Sequence, residues 1–309
     1  MPTAIHDPLH QCKNRNSPSS YTAYTPSLQG PQLLPIVTEQ TKVPDQKQHI
    51  RQVVGSLLHY TRANDPRFIE AIRRISETQS DPTEETLEQV NHVIGFAHTI
   101  GETSILYTGT DTMKLTMQSD ASYASRPGGK SIMGGWSYLL NSTDDPKTTI
   151  NGFVQCHSKV MDTIVQSAQT AEQVALNYLG QKGMWERTIL NALKYPQRDP
   201  TNILTDSNIS KQAAHREITI RKSKAVEQRW QWYRQRCDEN IFNTVYISNT
   251  SRIFIADLFT KPQPVWKLII YAKQLVSDAN YTRITESINN DHDDTTQHHK
   301  TSHRKVSFK

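Results

Sequence analysis

Residues 115–124 read LTMQSDASYA, where apolar and polar side chains alternate around a single carboxylate, Asp120. Alternation at period two marks a strand. Two further strand-like segments follow, SIMGGWSYLLN (131–141) and INGFVQCHS (150–158), separated by Gly- and Asp-rich turns, so the three predict a meander. Beyond it the period lengthens. A helix is expected from about Gln169 to Lys194, with Val174, Ala175, Tyr178 and Leu179 on its inner face. TNILTDSN (201–208) reads as a short strand ending in an acid and leading into a short helix. KSKAVEQRWQWYRQRC (222–237) reads as another helix and IFNTVYISN (241–249) as the last strand. RIFIADLFTKPQPVWKLIIYAKQLV (252–276) reads as helical on both sides of Pro262 and Pro264. The order implies an antiparallel hairpin sheet extended by parallel crossovers, a mixed α/β layer fold.

Upstream, Ile50, Val53, Val54, Leu57 and Leu58 fall on one helical face, and Phe68, Ile69, Ile72 and Ile75 define a second helix. A third is expected to start with Asp81 as N-cap, Pro82 in the first turn and Glu84 in a capping box, burying Leu87, Val90, Ile94 and Ala97. Residues 1–48, rich in Pro, Ser, Thr and Gln, read as linker or disorder. Residues 279–309 read as a disordered tail despite the histidines and aspartates of DHDDTTQHHKTSHRK (291–305).

The composition narrows the function classes. Hydrophobic residues make up 35% of the 309. No run approaches the roughly 18 apolar residues of a membrane helix, so no membrane partner is expected. The first thirty residues lack the apolar core of a signal peptide. Cys12, Cys156 and Cys237 lie far apart with no C-x-x-C pair, which fits a reduced intracellular protein, cytoplasmic or nuclear, and gives no zinc motif. The net charge of +5 is uneven. Between Ser207 and Cys237 eight bases face two acids, a local +6, which leaves −1 for the remainder. Within that stretch Arg221, Lys222, Lys224 and Arg229 are candidates for phosphate contacts. The alternative is a solvated amphipathic helix, with Trp230 and Tyr233 as core.

Four acids are candidate ligands: Asp120 in the first strand, Glu172 near the start of the long helix, Asp206 at the end of the fourth strand and Asp257 in ADLFT. Each alone is unremarkable. Brought together by a sheet whose first and fourth strands are neighbours, they would repel one another unless a cation neutralised them. Such oxygen ligands suit Mg²⁺ or Mn²⁺, and two ions roughly 3.5–4 Å apart can drive phosphodiester hydrolysis.

QSDASY (118–123), SAQTAEQVAL (167–176), LTDSN (204–208), RKSKAVEQRWQWYRQR (221–236) and ADLFTK (256–261) resemble, in order and approximate spacing, the ribonuclease H domain of copia-type retrotransposon polyproteins. VVGSLLHYTRA (53–63) resembles the segment that joins polymerase to ribonuclease H there. The similarity spans about residues 48–278. It implies a ribonuclease H-like mixed five-stranded sheet flanked by helices, with a helical connection segment at 49–100 and the ribonuclease H-like domain at 113–278. It also implies that Asp120, Glu172, Asp206 and Asp257 are the catalytic, metal-binding set of a two-metal endoribonuclease that cuts RNA in RNA/DNA hybrids. A reverse transcriptase polymerase domain is the implied protein partner. Asn208, beside Asp206, is a candidate for sensing the 2′-hydroxyl. The chain departs from the family pattern at Gln173, where an aromatic is usual, at Ser207, where Asn is usual, and at SKAVE, which lacks a helper histidine. No Tyr-x-Asp-Asp polymerase motif occurs. The alternatives are a nucleic-acid-binding relic without turnover and a helical interaction module built on residues 49–100.

Overall fold

The computed structural model describes residues 47–100, 103–105, 107, 113–141, 150–218, 224–251, 253–264, 267, 268, 271 and 275. The expected linker before residue 47 and the expected tail after 278 lie outside the described residues.

The three upstream helices form where the periodicity predicts, α1 (Lys47–Ala63), α2 (Ile69–Thr78) and α3 (Glu84–Ile100), but on α3 the buried face is Val90, Val93 and Phe96, with the expected Leu87, Ile94 and Ala97 only partly buried. Ile50, Val54, Phe68, Ile72, Ile75, Val90, Val93 and Phe96 bury against one another. The start of α3 corrects the expected cap. Thr83, not Asp81, closes the helix end: Thr83 Oγ1 accepts from Thr86 N–H at 3.3 Å, and Thr86 Oγ1 accepts from Thr83 N–H at 3.2 Å. The reciprocal pairing is that of a capping box, with threonine in place of the usual glutamate.

The five-stranded sheet contains β1 (Met113–Arg126), β2 (Lys130–Asn141), β3 (Ile150–Val160), β4 (Thr201–Thr205) and β5 (Phe242–Tyr246), in spatial order 3-2-1-4-5. β1, β2 and β3 pair antiparallel, whereas β4 and β5 extend the sheet parallel to β1. Parallel neighbours need crossovers, which α4 (Ala168–Ala192), then α5 (Asn208–Ala214) and α6 (Lys224–Asp238) supply. The mixed five-stranded sheet with flanking helices is the fold class the sequence predicts.

β1 is covered on both faces from Leu115 to Ser122. Its odd positions Leu115, Met117 and Ala121 join clusters with Leu190, Leu176, Leu179 and Ala175 of α4. Opposite them, the even-numbered Trp136 and Tyr138 of β2 pack with Ile255, Leu258 and Phe259. This second face corrects the expectation of a helix from residue 252. Beyond Pro264 the described residues 267, 268, 271 and 275 are helical as expected, whereas before Pro262 residues 253–255 are not helical and only a short 3₁₀ turn forms at Ala256–Phe259. The cause is Gln118. Its Oε1 accepts from Ile255 N–H at 2.9 Å and its Nε2 donates to Ile253 O at 2.9 Å, so a side chain takes backbone bonds that a helix would use.

Candidate functional site

The site begins in the register of β1. Ser119 pairs with Thr205 as the last parallel step between β1 and β4, so Asp120 and Asp206 emerge side by side just beyond it. This is the carboxyl end of the parallel strands, where open α/β sheets bind ligands. On the antiparallel side Asp120 faces Gly134, and the glycine is a spatial necessity. A Cβ there would lie 2.7 Å from Thr260 Cγ2 and 2.9 Å from Phe259 O, so a larger residue would push the Ala256–Thr260 turn away from Asp120. Glu172 comes from the start of α4, whose N-cap Ser167 accepts from Thr170 N–H at 3.1 Å. The small side chains of Ala171 and Ala175, 0% and 1% exposed, let the helix approach the sheet. Glu172 Oε1 then accepts from Ala121 N–H at 3.2 Å.

Asp120, Glu172 and Asp206 each present one oxygen such that all three lie within 4.8 Å of one another. Asp120 is 1% exposed and accepts from the Thr260 hydroxyl through Oδ2. Burial pushes its carboxyl up to about 7; the Lys261 ammonium pulls it down and the Asp257 charge adds to the rise. Burial also drives Glu172 well above the usual carboxylate range, reinforced by the charges of Asp120 and Asp206. Asp206 is raised as well, chiefly by burial. Glu172 Oε2 is buried without a hydrogen-bond partner. Three converging carboxylates, with one buried oxygen of Glu172 left without a partner, form an all-oxygen set that could hold a metal ion.

Asp257 arrives differently from the other three. It lies buried in the 3₁₀ turn, and its Oδ1 accepts from Lys261 Nζ at 2.7 Å. The same ammonium lies 3.3 Å from Asp120 Oδ2. Sequence reasoning includes Asp257 but omits Thr260 and Lys261, which orient and compensate Asp120. Their signal was the spacing from Asp257 to Lys261 within ADLFTK, an acid and a base four apart.

The candidate nucleic-acid contacts are placed unevenly. Asn208 is exposed as the first residue of α5, next to the N-cap Ser207. Arg229 is exposed on α6, Lys224 begins that helix, and Arg221 and Lys222 lie outside the described residues. Trp230 and Tyr233 stack with ring centroids 5.3 Å apart and are buried, so they belong to the core. Gln173, where the chain departs from the resemblance, is 1% exposed, and both polar atoms of its amide are buried without a partner.

No protein-family model matches the chain. Among solved structures, the N-terminal ribonuclease H domain of a Mycobacterium tuberculosis protein matches at 12% identity and TM-score 0.35, covering 48% of this chain and 91% of that one. A ribonuclease H1 in complex with an RNA/DNA hybrid matches at 12% identity and TM-score 0.33, covering 48% and 94%. A foamy viral protease–reverse transcriptase bound to double-stranded DNA matches at 11% identity and TM-score 0.42, covering 70% of this chain and 34% of its own. By its own strand order and crossovers the chain has a ribonuclease H-like fold: a mixed five-stranded sheet with flanking helices.

Proposed function

We propose that this chain is a metal-dependent endoribonuclease that cuts the RNA strand of RNA/DNA hybrids, derived from the polyprotein of a copia-type retrotransposon. One observation carries the reading: Asp120, Glu172 and Asp206 converge at the carboxyl end of the parallel strands. Asp120, Glu172 and Asp206 would hold Mg²⁺ or Mn²⁺, with Asp257 completing the site in two-metal catalysis. When bound, the metal supplies activation of the attacking water and charge stabilisation of the leaving oxygen. The chain's own part is to prepare the ligands. Ala121 N–H fixes one oxygen of Glu172 and leaves the other free, while the Thr260 hydroxyl orients Asp120. Asn208, exposed two residues beyond Asp206, would contact the 2′-hydroxyl of a hybrid bound there. Arg229, with Arg221, Lys222 and Lys224, supplies phosphate affinity without sequence preference. A reverse transcriptase polymerase domain is the proposed protein partner.

The test is cleavage of a labelled hybrid in Mg²⁺ by the parent and by Asp206→Asn. The substitution removes a ligand charge and keeps the shape, so cleavage should fall by at least about a hundredfold while hybrid binding persists. Equal cleavage by both proteins removes Asp206 from the site. A parent that binds hybrid and never cuts it selects the relic reading instead.

A further inference from the structure

Among three converging carboxylates and a fourth beside them stands a cation of the chain's own. Lys261 Nζ is 2.7 Å from Asp257 Oδ1 and 3.3 Å from Asp120 Oδ2. Both distances are ion-pair contacts, so the ammonium bridges the two carboxylates. The arrangement is specific in its backbone as well as its charge. The turn carrying Lys261 is held against Asp120 by the gap over Gly134 and by the Thr260 hydroxyl. Gln263 Nε2 also donates to Asp257 O at 3.2 Å, fixing the far side of the same turn.

We infer that Lys261 is a built-in placeholder for a second cation. In the free protein its ammonium neutralises Asp257 and the adjoining oxygen of Asp120, so the site takes one divalent ion among Asp120, Glu172 and Asp206. A second divalent ion reaches Asp257 only by displacing Lys261. A divalent cation and an ammonium sharing two carboxylates would sit at contact range, and like charges that close oppose each other strongly. The lysine stem is flexible, and its side chain is 41% exposed, so it has solvent to move into. Lys261 is thus a positioning residue, acting through Asp120 and Asp257. The inference rests on the divalent-cation reading of the site and adds to it the number of ions and the order of their entry.

The experiment counts Mn²⁺ bound to the full-length protein without nucleic acid, by equilibrium dialysis with electron paramagnetic resonance of the free ion. The parent should bind one ion. Lys261→Met should bind two, or bind its second at least about tenfold more tightly than the parent does. Lys261→Arg, which restores the charge, should return to one. Equal stoichiometry and affinity in the parent and Lys261→Met would overturn the placeholder role. A parent that binds no Mn²⁺ overturns the cation centre itself and the inference with it, a result distinct from two ions in every variant, which rejects only Lys261. Thermal unfolding guards against a folding defect. Lys261→Met should melt lower than the parent without metal and recover more on adding Mg²⁺. A variant that stays unfolded with Mg²⁺ present also counts against the inference, because a divalent ion should replace the lost charge.

Discussion

Glu186 lies on the sheet side of α4, 4% exposed, with Oε1 accepting from Ser137 Oγ at 2.8 Å and Oε2 buried without a partner. Burial pushes its carboxyl from 4.5 up to about 7, against smaller pulls from Ser137 and Lys182. A carboxyl whose folded pKa exceeds its unfolded one stabilises the fold fully below the unfolded value, and that contribution fades as pH rises through the folded one. Stability should therefore decline between pH 4.5 and 7 and level off above. Glu186→Gln keeps the Ser137 bond and removes the titration. Its stability relative to the parent should climb across that window, by up to about 3 kcal/mol, as urea unfolding at a series of pH values would show. A constant difference across pH would assign the trend to other groups. The contrast with the site is informative about what a sequence reveals. Asp120, Glu172 and Asp206 were legible because each stands in its own motif. Glu186 was not, since a charge beside Arg187 in WERTIL looks like any solvated residue until the fold surrounds it, and the spacing of Lys261 from Asp257 gives no hint of Asp120 as its second partner.

At the scale of elements, the meander, the long helix and the parallel crossovers follow from periodicity, because each is stabilised by the face that its own residues define. The segment after Ser251 does not. IFIADLF is apolar enough for a helix, yet its backbone partner is Gln118, 137 residues before Ile255. No local pattern encodes a hydrogen bond from another element. The cap of α3 was missed for a smaller reason: Thr86 replaces the expected glutamate partner. The turn on β2 yields a direct prediction. Gly134→Ala places a methyl 2.7–2.9 Å from Thr260 and Phe259, against backbone as well as side chain. It should cost about 1–3 kcal/mol of stability and loosen the Asp257–Lys261 turn. Hydrogen exchange should quicken at the amides of Thr260 and Lys261, which bond to Asp257 O, before it quickens in β1. Unchanged exchange at these amides would show that the turn does not need the gap.

Across the whole molecule, the helical segment and the sheet share side chains. Ile69 of α2 lies in the same buried cluster as Trp136, Phe153 and Phe259, with Leu58 of α1 packed against it. Arg126, at the end of β1, pairs with Glu77 of α2, which also holds Arg73. Arg126 is 7% exposed, so losing its partner would leave a nearly buried charge uncompensated. Glu77→Ala should cost about 2–4 kcal/mol, a discount from the fully buried case because Glu77 itself is partly solvated. The parent should nonetheless melt in one calorimetric transition, whereas two resolved transitions would mean that the shared cluster contributes little coupling. None of this packing was readable from the sequence. The faces of α1 and α2 announce that they must be buried, but not which surface buries them.

The clamp of Gln118 on Ile253 and Ile255 closes loops of 135 and 137 residues, nearly the full span from the first strand to the last acid. Closing so long a loop adds little to equilibrium cost but delays folding, since distant pairings must be found before they stabilise anything. A chain interrupted after β3 can still form its helices and antiparallel hairpins, yet it carries Asp120 alone of the four acids. Asp257 and Lys261 reach the site only once the final turn docks. Topology therefore acts as a timer: the turn that carries Asp257 and Lys261 can dock on Asp120 only once the chain has been made from β1 through Lys261.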